Sequence, residues 1–187
     1  MTEKAIKRCH WCGTDALYTK YHDEEWGKPV FDDKVLFEFL ILEGAQAGLS
    51  WITILRRRDG YRKAFENFDV NQVAALVEAD VERLMGDEGI IRNRLKIKSA
   101  IKNAQLFIDI QKEFGSFAKY IWAYMPDQKP LVNDFMSGGI PARTEISDAI
   151  AKDMKKRGFK FFGTTICYAF MQAMGMVNDH EIGCISR

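Results

Sequence analysis

The sequence predicts an all-α fold, and three observations carry that prediction. Apolar residues recur at helical spacing through Val35, Leu36, Phe39, Leu40 and Leu42, and again through Leu95, Ile97, Ala100, Ile101, Ala104 and Phe107. Side chains suited to helix capping precede several of these runs, and Gly or Pro follows them. No stretch alternates convincingly with the period of two that a half-buried strand requires, and there is no internal repeat or low-complexity tract.

Residues 1–30 read as irregular chain, rich enough in Trp and Tyr to pack on the body of the protein. Asp32 or Asp33 then caps the first long helix, which contains Glu43. Gly44 and Gly48 each cost about 1 kcal/mol in a helix interior, so they imply close backbone approach or a helix end near Gly48-Leu49-Ser50. Ser50 is placed to cap WITILRRR, followed by a helical piece in GYRKAFENF. Asp69 with Gln72 resembles a capping box opening a helix through Val77, and Asp80 is a cap for VERLMGD. From Asn93 an amphipathic helix reaches about Phe114, where Gly115-Ser116 breaks it, and FAKYIWAY ends before Pro126. Residues 126–143 form a long loop that could join two lobes of a single 1–187 unit. Ser147 caps a helix through Lys156, and the stretch from Gly158 to Gly163 separates it from a last helix ending near Gly175.

A chain of 187 residues, 47% hydrophobic, can bury an independent core as one domain or two small lobes. No apolar run approaches the roughly 20 residues that span a bilayer, and the N-terminus lacks the apolar core of a secretory signal. A soluble cytoplasmic protein, with no membrane partner, is therefore expected. The formal net charge of +1 predicts no nucleic-acid partner by itself. The cations are nevertheless clustered, at Arg56 to Lys63, Arg92 to Lys98 and Lys152 to Lys160, and separate clusters can converge on one face.

Three groups of residues could carry chemistry. Glu43 lies in the apolar run ILEGAQAGLSW, and a buried carboxylate needs a cationic or hydrogen-bonding partner, either an arginine of the core or a ligand. In KKRGFKFFGTT, two glycines and basic residues sit between two helices, the form of a helix-hairpin-helix DNA-binding unit and also of a plain packing hairpin. There Gly158 and Gly163 would admit a phosphate to the N–H groups opening the last helix, with Lys160, Thr164 and Thr165 adding charge and donors. Cys9, His22, His180 and Cys184 could fill a tetrahedral zinc site joining the two chain ends, a full protein set that makes the metal structural. Cys12 forms a competing C-x-x-C with Cys9, and His10 is a further competitor; Cys167, on an apolar helix, reads as core.

Together, YHDEEWG, LFEFLILEGAQAGLSWITIL, the DVERL and GIIRNRLKI segments, and KKRGFKFFGTTICYAFMQAMGMVNDH followed by GC resemble bacterial 3-methyladenine DNA glycosylase I, of the helix-hairpin-helix glycosylase superfamily. The resemblance runs in order from about Cys9 to Cys184. It implies one structural zinc held by Cys9, His22, His180 and Cys184, and a base pocket containing Glu43, Tyr21 and Trp51. It places Leu49 where the family's DNA-plugging side chain would be. The implied reaction is hydrolysis of the N-glycosidic bond of 3-methyladenine in double-stranded DNA by a monomer, releasing the free base without strand cleavage. Asp179, beside His180, is expected to support the metal site rather than activate water.

Overall fold

The computed structural model describes residues 7–135 and 139–187. The chain is helical, as its spacing implies, and it is organised around one apolar helix, α2 (Asp33–Gln46), whose residues 36–45 are all buried. A helix apolar on every side must be covered on every side. Four helices pack against it: α3 (Trp51–Leu55), α7 (Arg94–Phe114), α8 (Phe117–Trp122) and α10 (Thr164–Ala173). Asp32 is the N-cap, accepting from the Val35 N–H at 3.0 Å. Asp33 instead accepts from the Phe117 and Ala118 N–H groups, both at 2.8 Å, which joins the starts of α2 and α8. Phe107 stacks on Phe117 with ring centroids 4.2 Å apart and meets Phe37 edge to face at 5.2 Å.

Gly44 within α2 and Gly48 just beyond it have separate reasons. A Cβ on Gly44 would stand 3.3 Å from the Phe161 carbonyl, so it marks a close backbone approach. Gly48, at φ +80°, makes the left-handed turn that ends the helix.

Several elements differ from the sequence reading. Residues 1–30 contain a helix, α1 (Ala16–Glu24), opened by Asp15, whose carboxylate accepts from the Leu17 and Tyr18 N–H groups. After α4 (Arg58–Ala64), Asp69 caps α5 (Val70–Ala74), which stops short of Val77. Asp80 lies inside α6 (Glu78–Met85), its carboxylate reaching back to the Val77 N–H at 3.0 Å. Thr144 rather than Ser147 caps α9 (Glu145–Arg157); the two side chains exchange reciprocal bonds with each other's backbone. The 126–143 loop, of which residues 136–138 lie outside the described residues, contributes β1 (Leu131–Val132), paired in parallel with β2 (Val177–Asn178). Two residues per strand are too few to show a periodicity in sequence. No helix among the described residues is long and apolar enough to cross a membrane.

Candidate active site

A cavity of about 230 Å³ opens where α1, α2, α3 and α10 meet. Tyr18 and Tyr21 come from one face of α1, Glu43 and Gln46 from the end of α2, Trp51 from the start of α3, and Trp11 from the turn preceding α1. Glu43 is only 3% exposed, and its Oε2 is buried with no hydrogen-bond partner among the described residues. Burial pushes its carboxyl up to about 8. Trp51 Nε1 and Trp11 Nε1 are also buried and unpartnered. Three polar atoms left unpaired around one cavity are an expensive arrangement in an empty core and a suitable one for a ligand with its own donors.

The alternative of a core Glu meeting an arginine is realised one turn and a half earlier. Glu38 accepts from Arg58 Nε at 2.8 Å and Arg62 Nε at 2.9 Å. Arg58 in turn lies 4.9 Å from the Phe39 ring centroid. Phe39 backs the cavity wall, stacked against Tyr21 and Trp51 at 6.3 and 6.0 Å. The sequence reading singled out Tyr21, Glu43 and Trp51, and these converge here; it missed Trp11, Tyr18 and Gln46. Tyr18 and Tyr21 stand three apart, a spacing that would have exposed them had α1 been read as a helix.

Beside the cavity, residues 47–50 turn between α2 and α3 and leave Leu49 40% exposed at the tip. Lys96 from α7 braces this turn, donating to the carbonyls of Ala45 and Ala47 at 2.8 and 2.7 Å. Ser50 stands at the N-cap of α3, although its hydroxyl meets Thr53 Oγ1 rather than a backbone N–H.

The α9–α10 pair forms a hairpin. Gly158 ends α9 at φ +105°, Phe161 is left-handed at φ +51°, and Gly163 is the N-cap of α10. Lys160, Gly163 and Thr165 are exposed. Asn103 of α7 fixes the turn by exchanging two 2.9 Å hydrogen bonds with the Lys160 backbone. Thr164 differs from the expectation of a free hydroxyl: Oγ1 donates to Asp148 and contacts Ser147 Oγ.

Behind Trp11 and Trp26 lies a buried cluster from both chain ends. One ligand atom each of Cys9, His22 and Cys184 falls within 4.8 Å of the others. The His180 ring stands nearly perpendicular to that of His22, with centroids 5.0 Å apart, and its Nε2 is buried without a partner. Asp23 and Asn178 orient the two imidazoles through Nδ1, at 2.7 and 2.8 Å. Two thiols and one oriented imidazole thus converge, a donor set of the kind that can hold a metal ion, while the His180 imidazole, the fourth donor expected from the sequence, lies beside that cluster rather than within it. Burial raises the Cys9 thiol pKa, so its thiolate is disfavoured unless a cation stands beside it. The competitors stand apart, since Cys12 Sγ donates to the Cys9 carbonyl and His10 pairs with Glu181. Asp179 does not support a ligand. It is fully buried and accepts from Asn133, Tyr168 and Gln172 at 2.7–2.9 Å, fastening β2 to α10.

A helical body with an aromatic, carboxylate-bearing cavity beside an exposed leucine turn and a glycine-bounded hairpin has the parts that an enzyme receiving a base extruded from a nucleic acid requires. The chain belongs to the methyladenine glycosylase family, whose model matches residues 11–187. It is 50% identical over 179 residues to DNA-3-methyladenine glycosylase 1 of Escherichia coli (strain K12), covering 96% of each chain. A crystal structure of 3-methyladenine DNA glycosylase I superposes with a TM-score of 0.93 at 51% identity, covering 96% of this chain and 98% of that one. The Staphylococcus aureus enzyme, whose structure concerns 3-methyladenine recognition, matches at a TM-score of 0.93 and 34% identity over 98% and 97% of the two chains.

Proposed function

We propose that this protein excises 3-methyladenine from alkylated double-stranded DNA by hydrolysing its N-glycosidic bond, leaving the strand uncut. The observation that carries this reading is Glu43, a buried carboxylate with an unpartnered oxygen in an aromatic cavity. Methylation at N3 makes the nucleoside base cationic and a good leaving group, so it needs little help from a general acid. Tyr21, Trp51, Trp11 and Tyr18 can surround that cation, each contact contributing roughly 0.5–2 kcal/mol. Glu43 can accept from its exocyclic amine and offset its charge. Neutral adenine would gain less from the same groups, so one electrostatic arrangement serves selectivity and catalysis.

The remaining parts deliver the base. Extrusion costs a few kcal/mol, and Leu49, beside the cavity mouth on a braced turn, can fill the vacated stack. The α9–α10 unit reads as a helix-hairpin-helix, with the α10 N-terminus, Gly158, Gly163, Thr165 and Lys160 on phosphates. Lys160 serves there as a cation rather than a Schiff-base nucleophile, in keeping with hydrolysis without strand cleavage. Cys9, His22, His180 and Cys184 would hold one zinc ion, whose chemistry is structural. Through Trp26, which meets the His180 ring at 4.7 Å, that clamp steadies one wall of the cavity. A single unit acting as a monomer in the cytoplasm suits the four unpaired cysteines.

Titration with free 3-methyladenine, followed by tryptophan fluorescence, tests the pocket. Saturable quenching by 3-methyladenine and a much weaker response to adenine are expected. Equal responses would remove the basis for Glu43 as the selective group.

A further inference from the structure

A second concave surface lies between α7 and the hairpin, away from the base cavity. Leu95, Lys98, Ser99, Lys102, Lys160 and Phe161 line a groove of about 420 Å³. Leu95 is 70% exposed, and with Phe161 it gives the groove an apolar side. Lys98 and Lys102 are four apart, so they stand one turn above each other on the same face of α7. Lys98 is tied to Glu78 at 2.9 Å. Among the described residues, no carboxylate lies within 4.0 Å of Lys102 or Lys160. A groove with an apolar side and uncompensated cations fits a polyanion that also presents apolar edges, which describes the sugar-phosphate backbone.

Two contacts make this groove continuous with the parts assigned to DNA. Lys160 belongs to both groove and hairpin, and the paired Asn103 bonds hold that turn to α7. On the other side, Lys96, adjacent to Leu95, braces the Leu49 turn. We infer that the groove is a docking surface for the duplex backbone beyond the hairpin, with Lys102, Lys160 and Lys98 on phosphates and Leu95 against the sugars. The inference rests on the glycosylase reading, since its occupant is the same duplex. It lengthens the footprint from the hairpin on to the first half of α7.

The test is binding of a synthetic duplex carrying an abasic-site analogue, measured against salt concentration. Lys102→Glu should weaken binding about tenfold at physiological salt and lower the log-log salt slope by about one. Lys102→Ala should lower the slope by a similar amount and stands in if the glutamate variant folds poorly. Leu95→Ser should weaken binding with the slope unchanged. Lys112→Glu makes the same charge change at the far end of α7, where the side chain is exposed, and should leave the slope unaltered. If Lys102→Glu behaves like Lys112→Glu, the groove does not dock DNA, and an acidic protein partner becomes the better occupant. Free 3-methyladenine binding by Lys102→Glu reports an intact cavity. Should the parent fail to release 3-methyladenine from methylated DNA, the glycosylase reading falls; should it succeed while Lys102→Glu binds duplex normally, only the groove does.

Discussion

Replacing Glu43 by glutamine separates what this side chain does for binding from what it costs the fold. Burial raises its carboxyl from the ordinary 4.5 to about 8. A group whose pKa is raised on folding contributes stability that is fully present below the unfolded value and lost as pH rises through the folded one. The window here runs from about pH 4.5 to about 8. At 1.36 kcal/mol for each pH unit the loss reaches about 3 kcal/mol by pH 7 and about 5 kcal/mol above pH 8. The substituted amide does not titrate. Urea unfolding of parent and Glu43→Gln at pH 5, 7 and 9 should therefore show a gap that widens in favour of the variant as pH rises. Other titrating groups cancel in the difference, because the surrounding structure is shared. The same variant should bind free 3-methyladenine more weakly and excise it more slowly. A gap that stays constant with pH would refute the reasoning, since it would mean that Glu43 is solvated or paired in the native protein.

Three further outcomes follow from the same geometry. Because kcat/KM reports the free enzyme, it should rise with pH up to about 8 as Glu43 ionises, and Glu43→Gln should lose that limb; a flat parent profile would contradict an ionised Glu43 in the productive complex. Cys184→Ser should lower both bound metal and Tm and reduce the unfolding free energy by about the several kcal/mol that a structural site supplies, and chelation should reproduce the effect on the parent. A metal-free variant with unchanged Tm would speak against a clamp. Leu49→Ala should slow excision from duplex DNA at least tenfold while leaving free-base affinity unchanged, as expected of a group that acts only on the stack; equal losses in both assays would place Leu49 in the cavity wall instead.

Most of the helical body was legible because its signals are local. Asn93 and Gly115 bracket α7 with a side-chain cap and a left-handed stop, and Gly158 ends α9 in the same way. Glu43 stood out because a lone carboxylate in an apolar helix has few physical explanations. What stayed hidden depends on distant parts of the chain. In α1 the capping signal of Asp15 was present, but Trp, Cys and Gly around it masked a helix whose aromatic face is defined by the cavity it lines. Lys96 and Asn103 read as ordinary residues of a basic amphipathic helix, yet their partners are backbone atoms 49–57 residues away. Asp179 looked like a companion of His180 by adjacency, whereas its side chain turns to Tyr168 and Gln172.

The central claim is that one buried carboxylate in an aromatic cavity selects a cationic, flipped base. The most direct measurement is to incubate the protein with DNA treated with a methylating agent and identify the bases released. Release of 3-methyladenine with unmodified adenine left in the DNA, and a marked slowing by Glu43→Gln, is the predicted result. Release of no 3-methyladenine, or release at an undiminished rate by Glu43→Gln, would contradict it.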